Sequence, residues 1–255
     1  MSYLVPNWSA PAQVKAFSTT RLGGNSLGDS RASDSDHSRA SDSVYSAMNL
    51  ALHVGDQSQQ VVTNRHQLSL DLELPSEPIW LQQVHSALVV SADMPIASAV
   101  DGSFSKSANI VCAVMTADCL PLLLSNQNGD QVAAVHVGWR GLASGIIDNA
   151  IAAFNCPSAE ILAWAGPCIG PTKFEIDEQV KAQLGGPDSA YSINKNNRLT
   201  ANLYALCKFR LEALGVINYW HSQACTYSDQ EHFFSYRRDG QCGRMASLIW
   251  LDRQS

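Results

Sequence analysis

The sequence predicts an α/β chain of the α+β type, with mixed sheets and helices outside them. Three observations carry this reading. Apolar runs of strand length, such as NIVCAVMT and LPLLLSN, alternate with helical patterns such as FEIDEQVKAQL and LTANLYALCKFRLEALG. Strands and helices mix in both halves without a strict βαβ order, which favours a mixed sheet or two packed sheets over a doubly wound parallel fold. The 255 residues, 45% of them hydrophobic, suffice for one sizeable core, so 1–255 reads as one domain.

Taken in order, VKAFSTTRLGG reads as a strand that ends in a turn at Gly23 and Gly24. SRASDS at 30–35 then recurs at 38–43, around Asp36 and His37. This Ser/Asp-rich repeat has no apolar period and predicts a solvated, mobile loop over 30–43. Ser58 to Leu72 has helical apolar spacing, with Asp56 or Ser58 as its cap. IWLQQVH and ALVVSA read as strands, with His85 at a strand end. NIVCAVMT and LPLLLSN read as buried strands around the corner Ala117-Asp118-Cys119. QNGD supplies a hairpin turn into the strand QVAAVHVGW. LASGIIDNAIAAF reads as a helix, EILAWAGP as a strand and FEIDEQVKAQL as a short helix. LTANLYALCKFRLEALG reads as a long helix stopping at Gly215. VINYWHS, FFSYRRDG and MASLIWL complete the chain as strands.

Composition excludes several function classes. A formal net charge of -6 argues against a nucleic-acid partner, whose phosphates call for a basic excess. No apolar run reaches the roughly 18 residues that a membrane span needs. MSYLVPNWSAP has neither the basic nor the apolar region of a secretory signal, so a cytoplasmic location is expected. Seven scattered cysteines without a CxxC pair suggest buried thiols and one reactive or ligating thiol, not a disulfide framework. No GxGxxG follows a strand and no GxxxxGK[ST] occurs, so the usual nucleotide-phosphate loops are absent.

One constellation suggests chemistry. A hairpin separates Cys119 from His136, and antiparallel pairing would bring them near each other. With His85 they offer two imidazoles and a thiolate, a three-ligand set that leaves a fourth position open on zinc. Spacing alone leaves a second reading open, of core histidines and a small buried thiol. Asp118 reads either as a group that orients a ligand or accepts a proton, or as the cap of a turn. Arg140 in GWRG opens a helix where an anion would sit, or forms a surface ion pair. Arg237 and Arg238 in SYRRDG read as an anion clamp or as an ordinary hairpin end.

Several stretches together resemble one family: FSTTRLGG, MNLALHVGD, WLQQVHSALVV, MTADCLPLLLSN, AAVHVGWRGLASGII, AWAGPCIGPTKFEI and CTYSDQEHFFSYRRDGQCGRMASLIWL. The chain resembles the YfiH, or laccase-domain-containing, family of purine nucleoside phosphorylases, long labelled multicopper polyphenol oxidases. The resemblance spans nearly the whole chain. It implies a four-layer α/β/β/α arrangement of two related subdomains. It implies a metal held by His85, Cys119 and His136, zinc or else copper. It places Arg21 and Asn49 in the substrate pocket, and Arg140, Glu175, Arg237 and Arg238 in matching motifs beside it. The 30–43 repeat departs from the short loop usual at that point in the family.

Three activities follow as expectations. The resemblance implies phosphorolysis of adenosine, inosine, guanosine and methylthioadenosine, with deamination of adenosine. Zinc chemistry suits deamination, because zinc activates water near neutral pH. Phosphorolysis needs an arginine-held phosphate, for which Arg21, Arg140, Arg237 and Arg238 are candidates. The second activity is a laccase-like oxidation of phenols. The chain has seven histidines and no HxH pair, too few for a conventional multicopper cluster, although a single copper at the same ligands would allow slow oxidation. The third is a zinc or cysteine hydrolase acting on a cell-wall precursor.

Overall fold

The computed structural model describes residues 2–24 and 44–252. The expected 30–43 loop, with His37, lies outside these residues.

The elements run β1 (Tyr3–Leu4), β2 (Val14–Thr19), α1 (Ser58–Asp71), β3 (Ile79–Trp80), β4 (Val89–Ser91), β5 (Gly102–Ser105), β6 (Cys112–Thr116), β7 (Leu120–Asn126) and β8 (Val132–Val137). They continue as α2 (Trp139–Ala143), α3 (Ile146–Ala152), β9 (Ile161–Ala165), α4 (Glu178–Leu184), β10 (Tyr191–Ile193) and β11 (Leu199–Ala201). The last are α5 (Leu203–Ala213), β12 (Asn218–His221), α6 (Tyr236–Asp239) and β13 (Met245–Leu251). One mixed sheet has the order β1-β2-β13-β6-β3 and the other β12-β9-β7-β8-β5-β4, with β10-β11 as a separate hairpin.

The two sheets pack face to face, and helices cover both outer faces. Alternation along β7 shows why. Leu120, Leu122 and Leu124 point to the α3 and α5 side, where they meet Ile146, Ile147, Leu206 and Leu211. Leu123 points the other way, into an inter-sheet core with Val114, Val132, Trp164 and Ile249. The far side of the first sheet packs Ala113, Leu248 and Trp250 against Leu68 of α1. Strands buried on both faces read as continuous apolar runs, as β6, β7 and β13 do. The layers are therefore α/β/β/α. Among the described residues, no helix is long and apolar enough to cross a membrane.

Several elements differ from their sequence reading. IWLQQVH pairs as a strand only at Ile79–Trp80, so His85 does not end a strand. Beyond it, the Gln83 amide donates to Met115 O at 2.8 Å and accepts from Met115 N at 2.7 Å, so a side chain takes the place of a paired backbone. The run LASGIIDNAIAAF splits into α2 and α3 at Gly145, whose φ of +87° suits glycine. The long helix starts only at Leu203, capped by Asn202, because Leu199–Ala201 pairs with β10. Helix α1 has no side-chain cap, and both Asp56 oxygens are engaged with Gln57 N and Asn49. FFSYRRDG is not a strand. Ser235 accepts a hydrogen bond from Arg238 N and starts the single turn α6.

Candidate metal centre and its pocket

Three elements bring the histidines and the thiol together. His136 sits on β8 opposite Pro121 of β7. Cys119 occupies the corner just before β7. The corner is sharp, because Asp118 has φ +92°. The Asp118 carboxylate accepts from Thr226 Oγ1 and from Arg237 N, both at 2.6 Å, and so ties the corner to the two loops beyond it. Of its two readings, the structure supports the turn-fixing one. His85 lies in the loop after β3, with φ +61°. Its ring meets the His136 ring edge to face, with centroids 4.8 Å apart.

Asp101, just before β5, organises the set and was not singled out from sequence. It is fully buried. Its Oδ1 accepts from His136 Nδ1 at 2.8 Å and from His85 N at 2.9 Å. Its Oδ2 accepts from Ser86 N at 2.6 Å and Ser86 Oγ at 2.8 Å. Burial alone would raise this carboxyl, but the bonds from His136 and Ser86 outweigh it and hold the pKa well below the usual carboxylate range. This bond places a proton on His136 Nδ1 and turns Nε2 toward Cys119, so that Nε2 is the nitrogen that would ligate an ion. Sequence presents Asp101 only as an aspartate before a glycine, the common signature of a turn.

The donors also perturb each other. Burial opposes charge on both Cys119 and His136, yet their mutual attraction wins. It pulls the thiol down and, together with Asp101, pushes the imidazole up.

The donor atoms of His85, Cys119 and His136 all lie within 4.8 Å of one another. Two imidazole nitrogens and one thiolate suit zinc or copper. The space facing them exists because residue 138 is glycine. A Cβ there would stand 2.4 Å from His85 Nδ1 and 3.2 Å from Cys119 Sγ. The residues present thus fit a transition-metal ion.

The donors open onto a cavity of about 420 Å³. Trp139 and Phe174 give it aromatic walls, and Arg140 and Arg237 also line it. Four predicted pocket residues do not line it. Arg21 lies over the Phe234 ring, and its Nε donates to Ser46 O at 2.8 Å. Asn49 is fully buried, and its Oδ1 accepts from Ala51 N and Arg244 N. Arg238 donates to Thr226 O, Tyr227 O, Phe233 O and its neighbour Asp239, so its guanidinium is spent inside the fold. Glu175 faces a neighbouring cleft, where it accepts from Asn194 Nδ2 at 2.8 Å. Sequence reasoning missed His53 and Arg244, which do line the cavity. They stand in the MNLALHVGD and CGRMASL stretches, so the motifs marked the regions but not the side chains.

A sequence model of a family described as multi-copper polyphenol oxidoreductase laccase matches residues 15–252. The purine nucleoside phosphorylase YfiH of Escherichia coli (strain K12) is 41% identical, covering 97% of this chain and 98% of that protein. The chain belongs to this family. The purine nucleoside phosphorylase PA4543 of Pseudomonas aeruginosa is another relative, at 39% identity over 98% of both chains. Among solved structures, Neisseria meningitidis protein NMB0706 aligns with a TM-score of 0.87 and 38% identity, covering 99% of this chain and 100% of that one. YlmD from Geobacillus stearothermophilus aligns at 0.86 and 27% identity, covering 99% and 97%. The YfiH-family fold positions its candidate site at the corner between the two sheets.

Proposed function

We propose that this YfiH-family protein is a purine nucleoside phosphorylase whose site is a zinc ion held by His85, Cys119 and His136. Adenosine, inosine, guanosine and methylthioadenosine are its substrates, with phosphate as co-substrate, and deamination of adenosine is a second activity. The observation that carries the reading is the convergence of the three donors on a cavity walled by aromatic rings and arginines. The names of its relatives support the nucleoside class.

The chain's own groups have separable roles in this reading. Trp139 and Phe174 offer flat apolar faces to a purine ring. The cavity arginines meet the charge of phosphate. Asp101 keeps His136 oriented toward the ion. A bound ion with an open position supplies Lewis-acid polarisation.

The family description favours a second reading, copper-dependent oxidation of phenols. Among the described residues, His85, Cys119 and His136 form the one such ligand group. A single mononuclear site suits slow one-electron chemistry and not four-electron reduction of oxygen. Separating the products of adenosine with and without phosphate tests the proposal. Adenine with ribose 1-phosphate supports phosphorolysis, and inosine supports deamination. Neither product from the zinc-loaded protein would reject the reading.

A further inference from the structure

The cavity carries a basic pair that no motif assigned. Arg244 stands just before β13, half-buried, with its guanidinium 5.8 Å above the Tyr236 ring. Its Nη1 donates to Cys242 O at 2.7 Å and Gly243 O at 3.0 Å, which fixes the side chain. Its Nε and Nη2 have no protein partner among the described residues. His53 lines the same cavity, and neither of its ring nitrogens has a protein partner among those residues.

Their placement is built. Arg244 N donates to Asn49 Oδ1 at 3.0 Å, and Leu50 N donates to Arg244 O at 3.2 Å. The Gln241 side chain donates to Val54 O at 2.7 Å. These bonds clamp the 49–54 loop, which carries His53, to the 241–244 segment. Asn49 therefore serves the cavity from behind, through the backbone of Arg244.

The electrostatics ask for an anion. Burial and then the Arg244 and Arg65 charges make His53 harder to protonate. Arg65 is committed elsewhere, donating twice to Leu50 O and stacking on Trp80. Asp118 lines the cavity, but both its oxygens accept from Thr226 and Arg237. An arginine and an imidazole are held together with donors free and, among the described residues, no carboxylate paired to them. Half-burial strengthens a charge-assisted bond to a ligand there. The other cavity arginines fit less well. Arg237 is exposed and already donates to Glu175 O, and Arg140 is exposed at the helix start, over its own neighbour Trp139.

We infer that Arg244 and His53 form the seat of inorganic phosphate in this cavity, a role that rests on the phosphorylase reading. Arg244 Nε and Nη2 present a two-pronged donor to the tetrahedral oxyanion, and a His53 ring nitrogen adds a third bond.

The test uses the full chain loaded with zinc. The KM for phosphate and for inosine is measured for wild type, Arg244→Gln, Arg244→Lys, His53→Gln, Arg140→Gln and Arg237→Gln. Inorganic phosphate binding without nucleoside is followed by calorimetry. The expected result is a phosphate KM raised at least tenfold in Arg244→Gln and about threefold in His53→Gln, with the inosine KM within twofold of wild type. Arg244→Lys recovers part of the loss. Phosphate binding falls in parallel. If no nucleoside is cleaved but phosphate binding still depends on Arg244, the seat stands and the phosphorylase reading falls. An unchanged phosphate KM in both variants overturns the seat. So does a larger effect from Arg140→Gln or Arg237→Gln, or a wild type that binds no phosphate. Should Arg244→Gln fail to fold, the exposed His53→Gln variant decides alone.

Discussion

Asp101 Oδ1 accepts hydrogen bonds from the His136 ring and from the His85 backbone at once, at 2.8 and 2.9 Å. One buried oxygen therefore orients a candidate metal ligand on a strand and the loop that carries its counterpart. Replacing Asp101 by Asn keeps the shape but removes the charge that holds His136 Nδ1–H. Zinc affinity, measured by competition with a chelator, should fall about 10–100-fold. Equal affinity in the variant would show that the carboxylate only fills space. The folded protein holds the Asp101 pKa below its unfolded value. Its stabilisation is therefore present above the unfolded pKa of about 4 and is lost as pH falls below it. Asp101→Asn should flatten that acid limb in urea titrations.

Cys119→Ala removes the thiolate of the proposed metal site while changing little volume at a partly buried position. It should abolish tight zinc binding and turnover, at a stability cost well under the ~2–5 kcal/mol of a buried Leu→Ala change. Metal analysis and thermal melting of the same preparation check both halves. Full turnover without bound metal would make the ion incidental.

Gly138→Ala isolates the space beside the donors. Gly138 has φ -78° and ψ 162°, which any residue adopts, so the backbone should accept alanine without strain. The new Cβ would collide with His85 Nδ1 at 2.4 Å. His85 must rotate away, so metal content should drop while circular dichroism stays native. Retention of stoichiometric zinc would mean that His85 is not a ligand.

Asn49→Ala would leave Arg244 N and Ala51 N without their shared acceptor inside the protein. Unsatisfied buried donors of this kind cost about 1–3 kcal/mol each. The variant should unfold at lower urea and also bind phosphate less tightly, because the 49–54 loop loosens from Arg244. A stability loss with phosphate affinity intact would separate Asn49 from the cavity.

Much of this was legible in the chain, and the remainder shares one physical cause. LPLLLSN reads as a buried strand because its apolar run is continuous, and β7 is buried along its whole length. The QNGD hairpin fixes the register that sets His136 opposite Pro121. IWLQQVH reads as a strand ending at His85 because it is largely apolar or uncharged. What ends the strand is a contact from Gln83 to Met115, 32 residues away. Asp101 and Arg244 were invisible for the same reason. A carboxylate's role is set by donors 15–35 positions distant, and local pattern holds no record of them. Arg237 and Arg238 are adjacent in sequence, yet one faces the cavity and the other is consumed by loop carbonyls. The single turn of α6 turns them apart, where the local pattern of FFSYRRDG suggests a strand.

The last prediction concerns which metal chemistry this site performs. His85, Cys119 and His136 form one candidate ion site, and a soft thiolate there suits copper as well as zinc. Copper loading should therefore succeed and yield some phenol oxidation. That oxidation should be slow, since one site passes electrons singly and no second ligand group accompanies it among the described residues. The zinc form should cleave inosine in a phosphate-dependent manner, and the copper form should lose that turnover or keep only part of it. Cys119→Ala should remove both activities together, because both rest on the same thiolate. The measurement compares turnover of inosine plus phosphate on the zinc form with turnover of a phenol on the copper form, wild type against Cys119→Ala. Rapid phenol oxidation by copper-loaded protein, with no nucleoside cleavage by the zinc form, would reverse the ranking. Oxidation that survives in Cys119→Ala would place the copper at another site altogether.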